Sequence, residues 1–74
     1  MKDLQQTIYN QVRKSLMAYL EGKKNLNWIL GIIKSTNIDQ KDLLQIFENL
    51  NAYGDHDKYS EAYSSCKEQG LLGK

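Results

Sequence analysis

Residues 26–33, Leu26-Asn27-Trp28-Ile29-Leu30-Gly31-Ile32-Ile33, decide how this 74-residue chain is read. Wound as a helix at about 100° per residue, they are apolar on two sides. Leu26, Ile29, Leu30 and Ile33 form one stripe. Trp28 and Ile32, one turn apart, form a second on roughly the opposite side. An ordinary surface helix of a small domain shows one apolar face. A helix with two is either the buried centre of its own fold or half of an interface.

Working outward, start and stop signals place this segment among four helices, at about 3–21, 25–35, 39–53 and 57–69. Asn25 caps the second helix, and Thr36 and Asn37 break it. In the first, Asp3 is the expected cap, and Leu4, Ile8, Val12, Leu16 and Leu20 recur every four residues, with Tyr19 on the same side. That spacing drifts slowly into a broad stripe. Gly22 suits the left-handed position after the helix end, followed by Lys23 and Lys24, cations that suit the helix dipole there. The third helix has Asp39 as N-cap and Ile38 with Leu43 as a hydrophobic staple. Leu43, Leu44, Ile46, Phe47 and Leu50 are its expected apolar face, and it stops near Tyr53, before Gly54. Asp55 or Asp57 caps the fourth, whose inward face is Tyr59, Ala62, Tyr63 and Cys66. Gly70 ends it, Leu71 and Leu72 fold back in a Schellman pattern, and Gly73 and Lys74 fray. Short loops imply that consecutive helices are neighbours. The expected fold is a single all-α domain over residues 1–74, a compact bundle of four helices.

Composition agrees. Ten Leu and six Ile supply a core, and there is no proline to interrupt a helix. A chain this short buries only about 60–65% of the surface that its unfolded form exposes, so the core is small. The longest apolar run, Trp28–Ile33, is far too short to span a bilayer. Met1–Thr7 lacks the apolar core of a secretory signal, and the lone Cys66 cannot form an internal disulfide, so a cytoplasmic location is expected. Usage rich in Lys, Asn and Ile suits an AT-rich bacterial or phage genome. Net charge is +1 but uneven. Residues 1–34 hold six basic and two acidic residues, net +4, and residues 35–74 hold four basic and seven acidic, net −3. Either the halves attract each other within the fold, or the basic half is a patch for an acidic partner.

No catalytic or metal-binding pattern emerges. Asp55-His56-Asp57 with Cys66 has metal-ligating residue types, but neighbouring Asp and His diverge and no second Cys or His completes a zinc site. Asp55, Asp57 and Tyr59 begin the rhythm of a calcium loop that nothing finishes. The simpler reading is a solvated loop with capping aspartates. His56 and Cys66 stand more than about 10 Å apart along a helix, too far for a base and its nucleophile. The acids read as caps or surface residues, not a paired set in a cleft. No enzyme, cofactor or small-molecule substrate is therefore expected. A membrane-surface role for the first helix would use Lys2, Arg13 and Lys14, but its stripe fits the core better.

The third helix, a glycine-containing turn and the fourth helix have a helix-turn-helix outline. Tyr59-Ser60-Glu61-Ala62-Tyr63-Ser64-Ser65-Cys66-Lys67-Glu68-Gln69-Gly70-Leu71-Leu72 resembles the recognition helix of winged-helix regulators, which often close on Lys/Glu-x-Gly-Leu-Leu. The resemblance implies DNA binding through helices three and four, with Lys58 and Lys67 as phosphate contacts. Residues 71–74 hold no counterpart of the family's wing strands. Glu61, Ser64, Ser65 and Glu68 occupy the outward face, where carboxylates oppose phosphate.

The favoured reading is a small interaction protein of the inhibitor, immunity, antitoxin or adaptor type. It binds a protein partner or forms a homo-oligomer. Its contact face is Trp28 and Ile32, beside Gly31, with Tyr53, Tyr59 and Tyr63 as a rim, since Trp and Tyr dominate binding hot spots. The competing reading puts Trp28 under the fourth helix as core.

Overall fold

A computed structural model describes the backbone of residues 2–72 and the side chains of residues 4–72. It contains four α-helices and, among the described residues, no strand: α1 (Lys2–Leu20), α2 (Leu26–Thr36), α3 (Gln40–Asn49) and α4 (His56–Glu68). The expected all-α bundle is the observed one.

At about 1.5 Å per residue the 19-residue α1 is roughly 28 Å long, close to the 34 Å long dimension of the molecule. It packs against each of the other three helices, and α2 also packs on α4. Its drifting stripe explains how one helix serves three neighbours. Val12, Leu16, Tyr19 and Leu20 are buried, Ile8 is half-buried, and Leu4 is 62% exposed. The expectation that Leu4 is a core residue is thus corrected. Each four-residue step turns the stripe about 40°, so by Leu4 it has rotated away from the bundle. Asp3 lies inside α1, which begins at Lys2, so the helix does not start at Asp3; the Asp3 side chain, like Gly73 and Lys74, lies outside the described residues.

The core is completed by Ile29, Leu30 and Ile33 of α2, Leu43, Ile46 and Phe47 of α3, Leu50, Ala62 and Cys66 of α4, and Leu72. Local signals set most boundaries. Asn25 accepts a hydrogen bond from the Trp28 N–H at 2.8 Å, Asp39 accepts from Lys41 N–H, and Asp55 accepts from Asp57 and Lys58 N–H. At the far end of α4 the Leu71 N–H reaches the Cys66 carbonyl at 2.8 Å and the Gly70 N–H reaches that of Lys67, the Schellman pairing, which buries Leu72.

One boundary differs. α3 ends at Asn49, a turn earlier than the expected 53. The Leu50 N–H is shared between the Ile46 and Phe47 carbonyls, and the chain then swings back to α1. There the Asp55 N–H donates to the Leu20 carbonyl at 3.1 Å. Gly54 has φ +68°, and a Cβ on it would lie 2.7 Å from that same Leu20 oxygen. Only glycine fits this crossing, so the sequence position of Gly54 fixes where the turn meets α1.

Candidate functional surface

The inner side of α2 is sealed, whereas its outer side is only partly covered. Trp28 is half-buried and rests on the edge of the core, with the Lys24 ammonium 5.3 Å from its ring centroid. Ile32 is half-buried one turn on; Gly31 between them and Ser35 three residues beyond Ile32 are exposed. The Ser35 hydroxyl donates back to the Ile32 carbonyl at 3.1 Å, so its polar atom is occupied within the helix. A Cβ built on Gly31 would meet nothing within 4 Å. Part of the Trp28 side chain packs on the core and the rest stays accessible, one helical turn from Ile32.

The three tyrosines expected as one rim divide between two places. Tyr53 lies at the end of α1, where its hydroxyl donates to the Glu21 carboxylate. That bond holds the Glu21 carboxyl below its usual range and raises the Tyr53 phenol. Tyr59 and Tyr63 instead line an open groove between α3 and α4, together with Leu44, Glu48, Asn51, Ser60 and Ser64. Their rings stack at 6.2 Å with an interplanar angle of 21°, and each stands edge-on to Phe47 at about 5.5 Å. The Tyr59 hydroxyl donates to the Phe47 carbonyl at 2.8 Å, and burial raises its phenol. The inner edges of the tyrosines are thus committed to the fold, and their other edges open onto the groove.

Leu44 was expected in the core and is 39% exposed on the wall of this groove. It lies about 60° beyond Phe47 around α3, at the margin of the apolar face. That offset was visible in the sequence and marks the groove that sequence reasoning missed.

The acidic and basic halves are not tied by ion pairs among the described residues. The pair that forms, Lys23 with Glu21 at 3.1 Å, lies within the basic half. Lys58 and Lys67 are turned to aromatic rings, Lys58 at 5.6 Å from Tyr19 and Lys67 at 5.5 Å from Tyr63. The Tyr19 hydroxyl donates toward the Lys58 carbonyl at 3.1 Å and the Glu61 carboxylate at 3.3 Å. Burial, then the Glu61 charge, push the Tyr19 phenol up to about 12. Cys66 is buried and its thiol is raised to about 11 by that burial, which disfavours a reactive thiolate. No cluster of three metal-ligating side chains occurs among the described residues, and no helix there is long and apolar enough to cross a membrane. Neither a family model, nor a curated protein, nor a solved structure matches the chain.

Proposed function

We propose that this chain is a non-enzymatic helical interaction module that docks protein on the outer side of α2. The observation that carries the reading is Gly31. A glycine inside a helix is unfavourable by about 1 kcal/mol relative to alanine. Here it is exposed and helical, and a Cβ added to it would meet no neighbouring helix or side chain within 4 Å, so no tertiary contact requires a glycine there. Between Trp28 and Ile32, a missing side chain lets a second backbone approach closely. The indole then acts as an anchor whose inner edge is already immobilised by the core, which lowers the entropy lost on binding. An inhibitor, antitoxin or adaptor fits this architecture, in a cytoplasmic setting.

The helix-turn-helix alternative has less to support it. Lys58 and Lys67 are oriented over Tyr19 and Tyr63, and exposed Asp57, Glu61 and Glu68 accompany them on α4. A field of that sign repels phosphate. A mobility shift on mixed-sequence duplex DNA at low salt, lost with Lys58→Ala/Lys67→Ala, would favour the alternative.

The test of the main reading compares wild type with Trp28→Ala/Ile32→Ser in capture from candidate hosts, alongside measurement of solution mass. A stoichiometric protein ligand or self-association should be lost in the double variant while its helical spectrum is retained. Binding that survives the double substitution would place the contact elsewhere.

A further inference from the structure

We propose that α4, together with the turn that closes it at Leu72, is a detachable unit that undocks and melts while α1, α2 and α3 stay packed. This holds whether or not the outer side of α2 docks a partner.

Burial is unequally shared among the helices. α1 buries Val12, Leu16, Tyr19 and Leu20, α2 buries Ile29, Leu30 and Ile33, and α3 buries Leu43, Ile46 and Phe47. α4 buries Ala62 and Cys66, the two smallest side chains of the core. Hydrophobic stabilisation scales with the apolar area removed from water, so α4 draws the least from complete burial. Tyr59 and Tyr63 add half-buried rings, and Leu72 adds a buried aliphatic side chain.

Polar bonds supply much of the remaining attachment. The Tyr19 hydroxyl donates to the Lys58 carbonyl, the Tyr59 hydroxyl to the Phe47 carbonyl, the Asp55 N–H to the Leu20 carbonyl, and the Gln40 amide to the Gly70 carbonyl at 3.4 Å. On opening, each is exchanged for a bond to water, so each holds α4 modestly. The terminal bonds of α4 lie within its own stretch: Asp55 caps Asp57 and Lys58, and the Leu71 N–H closes on the Cys66 carbonyl. Undocking therefore leaves the caps of α2 and α3 intact. α1 packs directly on α2 and on α3, so those three helices keep a shared core. A helix of 13 residues without packing is marginal in water, so α4 melts once it is free. Opening of such a unit is a sub-global event. It uncovers the Cys66 thiol and the Phe47 ring that Tyr59 and Tyr63 flank.

Cys66 is the sole cysteine, so thiol labelling reads this opening directly. Its reaction with an aromatic disulfide reagent, referenced to the unfolded chain at the same pH, is followed beside amide exchange through low denaturant concentrations, with closing faster than the chemistry. Cys66 and the α4 amides should share one protection factor, roughly tenfold or more below that of the slowest amides of α1 and α3. They should also share one denaturant slope, smaller than that of global unfolding but not zero. Ile8→Ala then separates the units, because Ile8 lines the cleft between α1 and the α2–α3 turn. It should lower the protection of the α1 and α3 amides roughly fivefold or more and leave Cys66 labelling within about twofold. Cys66 protection equal to that of the slowest amides, or falling in step with them in Ile8→Ala, overturns the proposal. So does labelling with no denaturant slope, which would mean breathing around the thiol without release of the helix.

Discussion

The two sides of α2 are built from similar residue types and do different work. Ile29, Leu30 and Ile33 on the inner side are buried and bind the helix to the rest of the core. Trp28 and Ile32 on the outer side are half-buried, with Gly31 exposed between them. Apolar character alone therefore does not tell which residues hold a small fold together. What separates the sides is whether neighbouring helices of the same chain cover them. The same lesson appears in two glycines. Gly54 is pressed against the Leu20 backbone at a positive φ, whereas Gly31 adopts helical geometry in open space. One is required by the fold; the other meets nothing in the fold that requires it, which the proposed docking role would explain.

Substitutions can break this contrast, and the inner side should give the largest response. Ile29→Ala should lower unfolding stability by about 2–5 kcal/mol, because it removes a fully buried side chain and leaves a void. Ile32→Ala should lower it by less than about 1 kcal/mol, in the range of surface changes. Chemical denaturation with matched slopes reads both, and equal losses would erase the distinction between the two sides.

The glycines sharpen the point because one substitution should act with opposite sign. Gly54→Ala should destabilise by on the order of 2–4 kcal/mol, from the left-handed backbone and the contact with the Leu20 carbonyl. Gly31→Ala should stabilise by about 0.5–1 kcal/mol through helix propensity, yet weaken association through α2. A stabilised Gly31→Ala protein with undiminished association would remove the functional reason for that glycine.

A smaller effect concerns alkaline stability on the sealed side. The Tyr19 phenol is raised by burial and by Glu61, so the folded state holds its proton longer than the unfolded chain. The stabilisation is fully present below the unfolded value near 10 and is lost as pH rises through about 12. Tyr19→Phe should remove hydrogen bonds worth about 1 kcal/mol at neutral pH and flatten the decline above pH ~10. Denaturant midpoints across that range show whether the slope changes; an unaltered slope would mean that another group is responsible.

Much of the fold was legible because its determinants are local. Asn25, Asp39 and Asp55 cap the N–H groups just after them, and Gly70 with Leu71 and Leu72 closes α4 by short-range bonds. The double-sided α2 was also legible, since helical period alone places Trp28 and Ile32 away from Ile29 and Ile33. Features set by distant contacts were not. The early end of α3 depends on the Asp55 N–H finding the Leu20 carbonyl, and the separation of Tyr53 from Tyr59 and Tyr63 depends on Glu21 and Phe47. Leu4 and Leu44 were misplaced at the margins of stripes, where a turn of tens of degrees decides between core and solvent.

Because Trp28 is the sole tryptophan, its emission reports on the outer side of α2 without a label. Acrylamide quenching of Trp28 should be substantial in the dilute monomer, and should fall, with a blue-shifted spectrum, as the protein associates or a captured partner is added. An indole already shielded in the monomer, or equally quenched before and after association, would contradict a binding face on α2.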